Sequence, residues 1–239
     1  FCICFSQMVS AQTPEYKFHP SHAFQYSHAI GMTTESSING STTISIYSSV
    51  WESDHKYEKQ ISTDTFLVSC IDRAISVCGF PPSPMSHDTQ IEFVMDKCGN
   101  LISCKSIKDI IDDDNVILGF LPALTNLSFP IPRTFNPDNT WKVSQRFPKP
   151  FPLEAIIEYK IQKPENQFEK GNLFSSIKIT SPDSQSIKFD GHGAIIFSLE
   201  KGIIIDKSIA FMTSGKFQGP GSETIPIKSV FWSHTSLIK

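Results

Sequence analysis

The sequence predicts a mainly β (α+β) fold: a curved or partly closed antiparallel sheet in two related halves with a short helical insertion. Three observations predict it. Apolar and polar residues alternate with a period of two along most of the chain. Short Gly, Asn and Asp clusters punctuate those runs. A single stretch, residues 107–124, breaks the period in favour of a helical one.

In order along the chain, residues 24–32 read as a first strand. Along 43–51, Ile44, Ile46, Ser48 and Val50 share one face, while Thr43, Ser45, Tyr47, Ser49 and Trp51 share the other. That is the geometry of a strand with one covered side. The same alternation runs through 66–71 and through 90–95, where Ile91, Phe93 and Met95 fall together. Ser106 has an N-cap character with Asp109 three residues on, and Ile107, Ile110 and Ile111 share a helical face, so one or two short helices are expected between Ile107 and Leu124. Prolines then enforce extended or turning backbone at 129–132 and 147–152. In 154–161, Ala155, Ile157, Tyr159 and Ile161 oppose Glu154, Glu158 and Lys160. Runs 194–199 and 203–212 start apolar on both sides, which predicts a covered central region. Turns are expected at Gly191-His192-Gly193 and Glu200-Lys201-Gly202, giving a three-strand meander over 186–211. Pro226 marks the last run, 224–233, as an edge strand or a bulged one.

The expected organisation is therefore a residual leader at 1–11, an N-terminal β half at 12–106, a helical and Pro-rich connection at 107–150, and a C-terminal β half at 151–239. The leader is read from apolar residues 1–5 and from Val9-Ser10-Ala11, whose small residues stand at the −3 and −1 places of a signal-peptidase site before Gln12. Export to the periplasm or the extracellular space follows as an expectation. In that setting Cys70, Cys78, Cys98 and Cys104, an even number, predict at least one disulfide, with all three pairings open.

The order of features is similar to that of a family of uncharacterised, exported, β-rich bacterial proteins. Its members share a signal peptide, a Pro-rich segment ending in a turn and a Trp, and a closing meander. Phe129-Pro130-Ile131-Pro132, Asn139-Thr140-Trp141 and Phe189-Asp190-Gly191-His192-Gly193 carry the likeness, although Asp138-Asn139 stands where a Gly-Asp turn is usual. The resemblance implies an open, lipoprotein-carrier-like sheet and supplies no catalytic residue.

Composition narrows the function. With 24 acidic and 21 basic side chains, a net charge of −3 and 19% charged residues, the chain lacks the basic character that captures nucleic acid. No stretch of about twenty apolar residues exists to span a bilayer as a helix. Nucleophile elbows, zinc-protease pairs, Cys-x-x-Cys pairs and phosphate loops are absent, so neither a catalytic residue nor a cofactor is expected. His19 and His22 are weak metal candidates, as are Asp112, Asp113 and Asp114, because each set lacks the remaining ligands. Trp51, Trp141 and Trp232 lie near strand ends, where an indole can serve a ligand. The expectation is a non-catalytic exported protein that binds an apolar small molecule or a protein partner. The alternatives are an accessory subunit assembling through edge strands such as 224–233, and a hydrolase whose site forms only in three dimensions.

Overall fold

A computed structural model describes residues 14–20, 22–38, 40–78, 90–104, 129–147, 153–162, 171–218 and 224–239. The leader at 1–11, the helix expected at 107–124, Asp112 to Asp114, and the 148–152 prolines lie outside the described residues.

Among the described residues, eleven strands form one antiparallel sheet: β1 (Ala23–Ile38), β2 (Ser41–Ser62), β3 (Thr65–Cys78), β4 (Gln90–Asp96), β5 (Leu101–Cys104), β6 (Thr140–Phe147), β7 (Leu153–Gln162), β8 (Asn172–Thr180), β9 (Lys188–Ser198), β10 (Ile203–Gln218) and β11 (Thr224–Leu237). Their order is β5-β4-β3-β2-β1-β11-β10-β9-β8-β7-β6. Each half is a meander, and the two halves join where β1 pairs with β11 along Tyr26↔Leu237 to Ser36↔Ile227. Among the described residues the end strands β5 and β6 do not pair with one another, so the sheet they form is open.

One face is buried from β4 round to β7, and its side chains form one apolar cluster. A sheet that buries one face in a single cluster must curl, and bulges help it do so. β2 carries register shifts near Trp51, Glu58 and Ile61. The interior is aromatic. Tyr16 meets Phe197 edge-on at 5.0 Å, and Phe129, fully buried, lies 5.5 Å from Tyr159. Segments 14–20 and 129–135 close one end of this interior. Tyr16 N donates to the Lys97 carbonyl, Ile131 N to the Cys98 carbonyl, and the Tyr16 hydroxyl accepts from Phe129 N at 2.7 Å. Trp141 Nε1 donates to the Pro130 carbonyl at 2.7 Å and its ring stacks on Tyr159. The Pro-rich segment with its turn and Trp is thus an interior plug.

Four expectations are corrected. First, β11 is not an edge; it lies between β1 and β10. Pro226 is tolerated because it sits one residue beyond the last β1 partner, Ile227, and faces only Lys216 of β10. Second, Gly191 and Gly193 are inside β9 rather than in a turn, so residues 186–211 hold two strands. A Cβ on Gly191 would lie 2.2 Å from Phe211 Cβ, and one on Gly193 would lie 2.3 Å from the Ser208 carbonyl oxygen. Glycine lets β9 bend against β10 there. Third, the doubly apolar start of β10 does not mark a region covered on both sides. A register shift between Ile204 and Asp206 turns both Ile203 and Ile204 inward, while Met212 further along is exposed. Fourth, no disulfide joins the described cysteines: Cys98 is a thiol and the buried Cys70 sulfur lies against His55. Cys70 and Cys78 are eight residues apart on one strand, about 26 Å. Cys104 faces Phe93 and Cys70 faces Ile91, so all of β4, about 9 Å or more, separates them. A bridge needs Cα atoms within about 7 Å.

Candidate functional site

In β1 the inward row is Phe24, Tyr26, His28 and Ile30; in β2 it is Trp51, Ser53, His55 and Tyr57. Antiparallel pairing sets His28 opposite Thr235 on one side and Trp51 on the other, His55 opposite Cys70, and Thr235 opposite Lys207. A continuous polar array therefore crosses β10, β11, β1, β2 and β3 inside an otherwise apolar wall. It lies across the seam between the two halves.

The array is internally hydrogen-bonded. His28 Nδ1 is 3.0 Å from Thr235 Oγ1, and His28 Nε2 is 2.6 Å from Ser53 Oγ. Ser53 Oγ is 2.9 Å from His55 Nε2, which is also 3.2 Å from Cys70 Sγ. Trp51 stacks on His28 with centroids 4.8 Å apart, and Tyr26 crosses His55 at 4.8 Å while its hydroxyl donates to the Ile204 carbonyl. Burial pushes His28 down to about 4, and burial together with the neighbouring His28 pushes His55 down to about 3. Both rings are neutral near pH 7, so each offers one N–H and one lone pair. Ser53 has one proton to give. If it donates to His28, then His55 Nε2–H donates to Ser53, and the chain has a single sense from one imidazole to the other. Lys207, also buried, is lowered to about 8 by desolvation.

A cavity of about 20 Å³ adjoins His55, walled by Tyr16, Phe24, Tyr57, Phe93 and Ile203 among others. That is room for about one water molecule. Strands β4 and β10 face each other across it.

The chemistry open to this cluster is limited. A reactive thiolate needs a cation beside it, and His55 is neutral at any ordinary pH. Ser53 and His28 make the contact of a hydrolytic pair. However, the second nitrogen of His28 meets a threonine where a triad has a carboxylate, and Ser53 is fully buried. The cluster is suited to holding its two imidazoles neutral in a dry interior.

The residues expected to mark a site do not converge. Trp51 faces inward, Trp232 is on the outer face at 44% exposure, and Trp141 belongs to the plug. His19 donates to the Lys201 carbonyl and His22 covers Phe24, their rings 6.5 Å apart. Among the described residues no group of three His, Cys, Asp or Glu is arranged to hold a metal. Ser53, His55, Lys207 and Thr235 were not expected. Their signal was available: each occupies the parity of large apolar neighbours on its own strand.

The fold and this cluster define an open-sheet β protein with a buried polar centre built around two neutral imidazoles. No family model matches the chain, and no curated protein matches it. Among solved structures it is similar to a DUF1329 family protein from Desulfovibrio piger ATCC 29098, at 10% identity over 90% of this chain and 85% of that one, with a TM-score of 0.20. At that score the likeness carries no inference about function.

Proposed function

We propose that the protein is a non-catalytic binding protein that takes an apolar ligand into the concave face of its open sheet, where the cluster around Ser53 offers one neutral hydrogen-bonding contact. The observation supporting this reading is the cavity beside His55, where the polar array borders an aromatic-walled void. At about 20 Å³ it admits a larger ligand only if the 14–20 segment shifts. That segment is tied at Lys17 by peripheral bonds, N to the Gly202 carbonyl and Nζ to the Leu199 and Glu200 carbonyls, and at Tyr16 by its backbone bond to the Lys97 carbonyl and its buried hydroxyl on Phe129 N, so a shift must release Tyr16. Native mass spectrometry of gently extracted protein, with titration of N-phenyl-1-naphthylamine, tests the reading. Met95→Trp fills the cavity from β4 and is expected to abolish probe binding. Absence of both a retained ligand and probe uptake, or equal uptake by Met95→Trp, would refute it.

Export is part of the proposal and is supported by Val9-Ser10-Ala11. Fractionation of cells making the full-length chain, with N-terminal sequencing, is expected to find a mature end at Gln12 outside the cytoplasm.

A further inference from the structure

The outer face of the sheet is unusual at its centre. Ile46 of β2 lies in one register row with Thr33, Val230 and Met212, and the next row holds Ser48, Gly31, Trp232 and Ala210. Ile46 is 63% exposed, Met212 48%, Val230 45% and Trp232 44%. The Trp232 indole lies across Gly31, where an added Cβ would come within 2.3 Å of Nε1. Small residues around it leave the ring as the highest apolar point of the face. An exposed apolar patch with a polar rim marks an interaction site.

The rim is polarised. Two rows from the Gly31–Trp232 row in one direction stand Lys228 and Lys188, with Glu35. Two rows in the other direction stand Glu52 and Asp206, the latter with His234 Nε2 at 2.8 Å on its carboxylate. The Gly31–Trp232 row is therefore the midpoint between a basic end and an acidic end. A two-fold axis lying in the plane of the face, across the strands at that row, carries each end onto its opposite. Lys228 of one copy then stands over Ser236 of the other, one strand from Asp206. The other two-fold orientation, along the strands, would set Lys228 against lysine.

From this self-complementarity we propose that two copies of the chain pair face to face through β2, β1, β11 and β10, with Trp232 at the centre of the contact. Eight residue steps by four strand spacings give a contact of about 26 by 19 Å, or roughly 500 Å² a side. The pair therefore buries about 1,000 Å², the lower end of specific interfaces, so the dimer is concentration-dependent. The proposal is independent of ligand binding on the opposite face.

Sedimentation equilibrium of the whole protein from about 1 to 500 μM tests it, with circular dichroism melts as the folding control. The wild type is expected to dimerise, more weakly at high salt. Trp232→Glu and Val230→Glu are each expected to be monomeric with a native-like melt. Lys228→Glu and Asp206→Lys should each weaken the dimer at least tenfold, and the double variant should recover most of the loss. A monomer at every concentration, or a dimer that both patch variants leave intact, overturns the proposal. Failure of one patch variant to fold leaves the other and the charge exchange to decide.

Discussion

Moderate acid should destabilise this protein through two residues. His28 titrates at about 4 and His55 at about 3 in the folded chain, against about 6.5 when exposed in the unfolded chain. Both folded values lie below the unfolded one, so the unfolded state binds more protons as the pH falls. Stability is complete above about 6.5 and is lost progressively below it, until the folded values are reached. Between pH 7 and pH 5 each histidine contributes a loss of about 2 kcal/mol, at 1.36 kcal/mol per pH unit over the part of the interval below 6.5. The pair together removes about 4 kcal/mol, a large share of the 5–15 kcal/mol typical of a folded domain. For a chain of this size that is a fall of roughly 8–16 °C in melting temperature. Glu58 and Glu158 are held below the ordinary carboxylate value, the first by hydrogen bonds from Lys56 and Ser69 and the second by one from Lys142. Their contribution is present above about 4.5 and is lost only below it, so the interval from 7 to 5 isolates the histidines. Urea unfolding at pH 7, 6 and 5, for the wild type and for His28→Gln with His55→Gln, is the assay. The double variant should start less stable and show little slope. Equal slopes in wild type and variant would refute the reasoning, because the lost stability would then come from elsewhere.

Three further outcomes are expected. Gly191→Ala drives a methyl group into the β10 backbone and Phe211, and should cost about 2–4 kcal/mol, whereas Gly31→Ala meets only the movable Trp232 ring and should cost about 1 kcal/mol or less with a red-shifted Trp emission; urea melts and fluorescence compare them. Phe129→Ala empties the fully buried plug and should cost about 3–5 kcal/mol, and Tyr16→Phe, which removes the acceptor of Phe129 N, about 1–3 kcal/mol, both read from urea midpoints. Thiol titration of the native protein should modify Cys98 readily and Cys70 only at the rate of unfolding, and a reductant should leave the melting temperature unchanged.

Much of the architecture was legible because the backbone of a strand imposes a period of two on any sequence that covers one side. Ala155, Ile157 and Tyr159 face inward as their alternation with Glu154, Glu158 and Lys160 implies, and Phe66, Val68 and Met95 do the same. Turn chemistry was equally local: Gly202 adopts positive φ where a tight turn was expected. The sequence by itself therefore determined the strands, most of their turns and the relative facing of neighbours along each one. It could not determine which of two faces would be covered or which strands would meet, because those depend on residues far apart in the chain. Ile44, Ile46 and Val50 alternate as well as any core strand, yet they lie exposed. Pro226 suggests an edge, yet the β1–β11 pairing makes its strand central. His28, Ser53 and His55 are a buried centre only because that same pairing brings Thr235 to one side of His28 while β3 brings Cys70 to His55. A local pattern sets the pleat. Which side of it becomes interior is decided when the two halves close on each other, since only then is water excluded from one face.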